Sequence, residues 1–194
     1  MVCMRGHVHT TAPYAACYPP PVPAWSLATS AARPHRFTVV ELLDGDLVDV
    51  SPQGPEHAWA GARVLAAVAS AYRGSCQIRS QSPLELGQRS RPEPDVAVVR
   101  GGPDAFKHAH PSGRDAVLVV EVAFGSQAID RDKARLYAEG GAPVHWLLDV
   151  EARTLAVHGD PTPQGYRTVA TLDERLEVEL PIVGTRLRVR DLLP

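Results

Sequence analysis

Two charged residues occupy apolar surroundings within one short part of this sequence. Residues 117–123 read VLVVEVA, an almost unbroken apolar run that predicts a buried strand, and Glu121 interrupts it. Further along, Lys133 and Leu136 each fall within about 40° of Ile129 on a helical projection, so Lys133 shares their apolar face. Burying an unpaired ammonium group is costly. The sequence therefore predicts that the helix packs so that Lys133 meets an anion.

The hydrophobic pattern of the whole chain predicts an α/β (α+β) fold, a mixed sheet with two helices against it. A β-hairpin is expected over residues 37–50, because Asp44-Gly45 is a strong tight-turn signal. Helices are expected at about residues 55–72 and 130–139, the second ended by Gly140-Gly141. The predicted strands are 77–86, 95–99, 117–123, 144–149 and 154–158, followed by strands at 166–171, 176–180 and 185–190.

Composition and charge place limits on the chain's environment and partners. Residues 1–35 are rich in Pro and Ala and lack a hydrophobic period, so we expect a flexible N-terminal arm before one domain at residues 36–194. The formal net charge of −2 provides no global basic field, so any DNA binding should be weak and salt-sensitive. The sequence has no membrane-length apolar run, its N-terminus makes a poor signal peptide, and its three cysteines suit free thiols, so we expect a cytoplasmic protein.

A second acidic residue strengthens the case for a site around Glu121. Asp95 is the first residue of the strand predicted at residues 95–99 and comes directly before its apolar run, residues 96–99. Two carboxylates on neighbouring strands can bind Mg²⁺ (or Mn²⁺) through oxygen while leaving positions open for water and phosphate. A metal held there would polarise a phosphodiester, and Lys133 could orient or deprotonate the attacking water or stabilise charge on the phosphate.

Several motifs, taken in order, resemble the Uma-two-type restriction endonucleases of the PD-(D/E)XK nuclease superfamily. They are ELLDGDLVDVSP with a following His, PEPDVAVV, LVVEVA with the following Ser126, and DRDKARLYAEGGAPVHWLLD. The resemblance covers roughly residues 37–192, nearly all of the predicted domain. The resemblance implies a restriction-endonuclease-like mixed β-sheet core flanked by helices, with N-terminal and C-terminal β-hairpins, and metal-dependent cleavage of DNA. Asp95 and Glu121 match the two superfamily acids, as catalytic residues and metal ligands. The usual lysine position is Ala123 here, so Lys133 on the helix takes the lysine's place.

Each of the three residues also has a simpler structural explanation. Asp95 alone suits a strand start or a turn, and Glu121 could reach solvent from an edge strand. Lys133 could bury its aliphatic stem and extend its ammonium group to water. The apolar run around Glu121 argues against an edge strand and favours a functional site.

Four further residues are candidates for accessory roles. Glu41 could complete a metal shell or be an ordinary hairpin residue, and His57 could contact metal or phosphate or be a core or capping residue. Ser126 could touch phosphate, although capping the loop before the helix explains it more simply. Tyr137, one turn after Lys133, most simply packs against that lysine and positions it.

A metal-dependent DNA endonuclease is the function that the sequence favours, with DNA as the partner. The alternative is a catalytically inactive nuclease-fold module that binds nucleic acid or protein, which the net charge of −2 favours. A carboxylate-pair hydrolase acting on sugars ranks last, because only 6% of the residues are aromatic. Cutting both strands of a duplex requires two sites, so a homodimer is also an option, although no sequence feature specifies its interface.

Overall fold

The described part of the chain contains ten strands and two α-helices, and six of the strands form a central sheet. The structure is a computed structural model that describes residues 39–50, 52–102, 104–124 and 127–194, with only the backbone at residues 39 and 127–131. In chain order the elements are β1 (Val39–Leu43), β2 (Asp46–Val50), α1 (Pro55–Ala71), β3 (Cys76–Arg79), β4 (Val96–Arg100), β5 (Ala116–Ala123), α2 (Gln127–Glu139), β6 (Val144–Asp149), β7 (Thr154–Thr162), β8 (Gly165–Asp173), β9 (Glu177–Glu179) and β10 (Arg186–Arg188).

Six strands form the central sheet, in the order β3-β4-β5-β6-β7-β8. Strands β5 and β6 are parallel, and the other neighbouring strands of this sheet are antiparallel. A parallel pair needs a crossover connection, which α2 supplies between β5 and β6. All eight residues of β5 are buried, which explains why its sequence is a nearly continuous apolar run.

The two helices cover opposite faces of this sheet. Helix α1 packs on the face that carries Val96 and Val98 of β4, whereas Tyr137 of α2 packs on the face that carries Ala97 and Val99. Successive side chains of a strand point to opposite faces, so the core has a helix layer on each side of the sheet.

Two small antiparallel pairs, β1 with β2 and β9 with β10, lie outside the central sheet. The first pair turns at Asp44 and Gly45, whose φ angles are 50° and 90°. Positive φ at both central residues is what a type I′ two-residue hairpin requires, and Asp-Gly tolerates it well. This turn fixes the register of β1, the strand that carries Glu41.

The structure confirms the predicted fold class, a mixed sheet with two helices and small hairpin sheets toward each end. The strand predicted at residues 77–86 is wrong beyond Arg79. Gln81 has a φ of 45° and donates its backbone N–H to the carbonyl of Pro94 at 3.0 Å, and Pro83 has no N–H. Residues 80–86 therefore cannot continue the ladder with β4.

Other boundaries differ modestly from prediction. Helix α2 begins at Gln127 rather than near residue 130, and β7 extends to Thr162 rather than residue 158. The flexible arm predicted at residues 1–35 lies outside the described residues. No helix in the described ranges is long and apolar enough to cross a bilayer.

Candidate active site

Asp95 is the residue just before β4. The antiparallel register pairs Val96 with Val120, so Asp95 lies beside the C-terminal end of β5. Its Oδ2 accepts the backbone N–H of Val122 at 2.8 Å. The backbone carbonyl of Asp95 accepts a hydrogen bond from Ser80 Oγ at 3.0 Å. Contacts on both the side chain and the main chain thus fix the position of this carboxylate.

Glu121 projects from β5 toward helix α2 and is 4% exposed. Its Oε1 accepts hydrogen bonds from the Tyr137 hydroxyl at 2.5 Å and from Lys133 Nζ at 3.2 Å. No donor in the described ranges contacts its other oxygen, Oε2. Burial raises the pKa of Glu121 to about 7, and the negative charges of Asp95 and Glu41 add to the rise, while Lys133 and Tyr137 oppose it.

Lys133 extends from α2 into a pocket of carboxylates and is only 7% exposed. Its Nζ lies 2.9 Å from Glu41 Oε2, 3.1 Å from Glu41 Oε1 and 3.2 Å from Glu121 Oε1. Burial by itself would lower the pKa of Lys133, but the two carboxylates reverse this and raise the pKa above its ordinary value. The structure therefore brings the inward-facing lysine directly onto the strand glutamate.

Glu41 is the second anion at Lys133, contributed by the hairpin strand β1. It is 3% exposed, and its Oε1 also accepts the backbone N–H of Glu93 at 3.0 Å. On the sequence alone, an ordinary hairpin glutamate explained this residue as well as a site residue did. Its burial and its contact with Lys133 instead place it inside the cluster.

His57 and Gln53 surround the other side of Asp95. His57 Nε2 lies 3.3 Å from Asp95 Oδ2, and this hydrogen bond is the main cause of a raised His57 pKa, which burial partly opposes. Gln53 Nε2 donates to Asp95 Oδ1 at 2.8 Å. Sequence reasoning missed Gln53, because a single polar residue in the loop before α1 carries no periodic signal.

Tyr137 contacts the acid as well as sharing a helix with the lysine. The sequence interpretation made Tyr137 a residue that packs against Lys133 and positions it, whereas its hydroxyl donates to Glu121. Its complete burial raises the Tyr137 pKa well above the ordinary value, so the hydroxyl remains a donor. Ser126, the remaining accessory candidate, lies outside the described residues.

The cluster contains more acidic than basic groups. Glu41 and Glu121 contact one lysine ammonium, and Asp95 contacts His57. Within the described ranges, no group of three or more His, Cys, Asp or Glu residues is arranged to hold a metal ion by itself. The carboxylates of Asp95 and Glu121 are nevertheless hard oxygen donors of the kind that bind Mg²⁺ together with water and phosphate oxygens. Their chemistry and the unmatched oxygen of Glu121 fit a divalent cation.

Comparison with known proteins identifies the family of this chain. The sequence model described as "Uma2: Putative restriction endonuclease" matches residues 32–190. A crystal structure of a "putative nuclease belonging to DUF820" from Anabaena variabilis ATCC 29413 superposes with a TM-score of 0.66 at 16% sequence identity. The match covers 87% of this chain and 97% of that chain, and at this identity it shows a shared fold. No curated protein matches the chain. Because the family model matches most of the chain's length, the chain belongs to the family described as "Uma2: Putative restriction endonuclease".

Proposed function

We propose that this chain is a divalent-metal-dependent DNA endonuclease that hydrolyses phosphodiester bonds. Asp95 and Glu121 bind Mg²⁺ or Mn²⁺, and Lys133 acts from the helix in place of the usual strand lysine. Membership of a restriction-endonuclease-like family supports the reaction class. The residue roles rest on the geometry of this chain.

The contact between Lys133 and Glu121 is the observation that carries the proposal. A lysine two residues after the glutamate would project from the same strand face, but that position holds Ala123. Lys133 reaches the same carboxylate from α2, at 3.2 Å. Asp95 lies nearby, because its carboxylate accepts the backbone N–H of Val122, the residue that follows Glu121. This proximity of residues far apart in sequence supports a shared site.

The charge state of Lys133 decides between its two chemical roles. A general base must lose its proton near the working pH. The carboxylates of Glu41 and Glu121 raise the pKa of Lys133, so the amine is protonated at neutral pH. We therefore assign Lys133 to stabilising negative charge on the phosphate and orienting water, rather than to deprotonating water.

Asp95 and Glu121 suit a metal because their positions are fixed before any ligand arrives. The Val122 N–H, His57 and Gln53 hold the Asp95 carboxylate, and Tyr137 holds one oxygen of Glu121. A divalent cation bound there would supply Lewis-acid polarisation of the phosphodiester and a more acidic water. The raised pKa of Glu121 means that cation binding should strengthen as pH rises through about 7.

Glu41 and His57 have supporting roles in this proposal. Glu41 contacts the ammonium of Lys133 together with Glu121 and helps to hold it in place. His57 lies next to Asp95, which raises the His57 pKa, and in its protonated form His57 would limit repulsion among the three acids. Both residues keep the site assembled, and neither is assigned contact with the reacting atoms.

Cleavage of a supercoiled plasmid tests this function directly. The purified protein is incubated with plasmid and Mg²⁺ or Mn²⁺, beside Asp95→Asn and Glu121→Gln, which preserve side-chain size. Glu139→Gln is the matched control, because Glu139 is an exposed glutamate on α2. We expect wild type and the control to nick the plasmid, EDTA to stop nicking, and the two site variants to lose it.

Cleavage that persists in both site variants would contradict the residue assignment. Metal-independent binding of DNA without cleavage would instead favour an inactive nuclease-fold module. An electrophoretic mobility shift with labelled duplex detects binding without cleavage. Comparing low and high salt reports the number of phosphate contacts, which should be small for an acidic protein.

A further inference from the structure

Strand β8 forms a long, exposed edge of the central sheet. It has nine residues and pairs on one side with β7. Its other side has no backbone hydrogen bond from any described residue over 166–172. The opposite edge strand, β3, has only four residues. Proteins usually protect an edge of this length with proline, a bulge or a central lysine, and residues 168–172 (TVATL) contain none of these side chains.

The registers of the neighbouring strands show which backbone groups of β8 face outward. Val150 donates its backbone N–H to Ala123 of β5 at 3.0 Å, so the N–H and C=O of the preceding residue, Asp149, point to β7, where Asp149 pairs with Thr154. Alternation along β7 then points Leu155, Val157 and Gly159 toward β8, so their partners Leu172, Ala170 and Thr168 are hydrogen-bonded to β7. The N–H and C=O groups of Val169 and Thr171 therefore point to the free edge.

We propose that β8 pairs antiparallel with β8 of a second copy of this chain, with the two-fold axis at Ala170. In this register Val169 faces Thr171 of the other copy, and these residues exchange the outward hydrogen bonds, while Thr168 lies opposite Leu172. Arg167 and Asp173 then lie directly opposite each other at both ends of the interface. Val169, which is 58% exposed, meets Thr171, a favourable cross-strand pair.

Charge complementarity selects this register over its neighbours. Within one copy Arg167 already pairs with Asp160 at 3.1 Å. Moving the axis to Val169 places Arg167 against Thr171 and Asp173 against Gly165, so neither charge meets an opposite charge of the other copy. Moving it to Thr171 places Arg167 against Arg175, and like charges directly opposite each other are destabilising. The axis at Ala170 satisfies the backbone and both charges together, as an isologous two-fold contact requires.

Cysteine cross-linking tests the register with the full-length chain. Cys3, Cys17 and Cys76 are first replaced with serine, and Ala170→Cys is then compared with Thr168→Cys under mild oxidation. Two residues at 170 would form a non-hydrogen-bonded pair about 4.5 Å apart between Cα atoms, within disulfide range, whereas two at 168 would be about 14 Å apart. We expect a disulfide-linked dimer from Ala170→Cys and at least roughly tenfold less from Thr168→Cys, since a separation above about 7 Å does not permit the bond.

Molar mass measured by light scattering provides the second test. Wild type should have twice the mass of the chain, and Val169→Pro should be monomeric, because proline removes an outward N–H that β7 does not use. Circular dichroism checks that this variant is folded, and if it is not, the cross-linking result decides. A monomeric wild type, or a dimer that neither cross-links at 170 nor responds to Val169→Pro, would overturn the proposal. A monomer is also the outcome if residues 1–38 or another protein occupy the edge.

Discussion

Replacing Lys133 with methionine isolates the energetic role of the buried ammonium, because methionine keeps an apolar stem and removes the charge. The ammonium lies 2.9 Å from Glu41 and 3.2 Å from Glu121, whose side chains are 3% and 6% exposed. Removing one partner of a buried ion pair typically costs about 3–5 kcal/mol, since the remaining charge has neither water nor a counter-ion. We expect Lys133→Met to lower the free energy of unfolding by about that amount near pH 8.

The loss should become smaller as the pH falls, because Glu121 can take up a proton. Burial and the neighbouring acids raise its pKa to about 7 even with Lys133 present, and removing the ammonium raises that pKa further. Near pH 5.5 Glu121 is therefore neutral in both proteins, and Glu41 alone retains an uncompensated charge. The destabilisation measured there should be clearly smaller than the value near pH 8.

Urea unfolding followed by circular dichroism measures these free energies. The matched control is Lys107→Met, because Lys107 is the chain's other lysine and is exposed, so its loss should change stability by less than about 0.5 kcal/mol. Adding Glu41→Gln to Lys133→Met should recover part of the lost stability. A loss below about 1 kcal/mol near pH 8, or an equal loss in the control, would refute the argument that Lys133 compensates buried carboxylates.

Two other predictions concern Glu121 and its hydroxyl partner. The folded-state pKa of Glu121 is raised from 4.5 to about 7, so its contribution to stability is fully present below pH 4.5 and is lost as pH rises through about 7. Thermal unfolding across this window should show the fall, and Glu121→Gln should flatten it; a profile identical in the two proteins would contradict the shift. Tyr137→Phe removes the 2.5 Å hydrogen bond to Glu121 Oε1, so it should cost about 2 kcal/mol and move the midpoint of the pH profile upward. An unchanged midpoint in that variant would show that the hydroxyl does not stabilise the carboxylate.

The pairing of Glu121 with Lys133 could be predicted because two local periods define it. Alternation along β5 fixes which face carries Glu121, and the helical period fixes which face of α2 carries Lys133. A parallel β5–α2–β6 unit returns the helix over the sheet, so both inward faces meet. The sheet architecture followed from the same apolar runs.

The remaining parts of the cluster depend on contacts between distant segments. Glu41 meets Lys133 across 92 residues of sequence, and no local pattern specifies how the hairpin packs beside α2. Gln53 reaches Asp95 from a loop, where neither helical nor strand periodicity applies. The end of β3 was also missed, because the positive φ of Gln81 arises from its hydrogen bond with the Pro94 segment.

Plasmid nicking by Lys133→Met beside Lys107→Met tests the relocated lysine most directly. Both variants lose one positive charge, so a general loss of attraction to DNA affects them equally, and circular dichroism establishes that each is folded. We predict that Lys107→Met nicks at the wild-type rate with Mg²⁺ or Mn²⁺, while Lys133→Met is slower by roughly 100-fold or more, as expected when a group that stabilises transition-state charge is removed. Equal nicking rates in the two variants, or no metal-dependent nicking by wild type, would contradict the account.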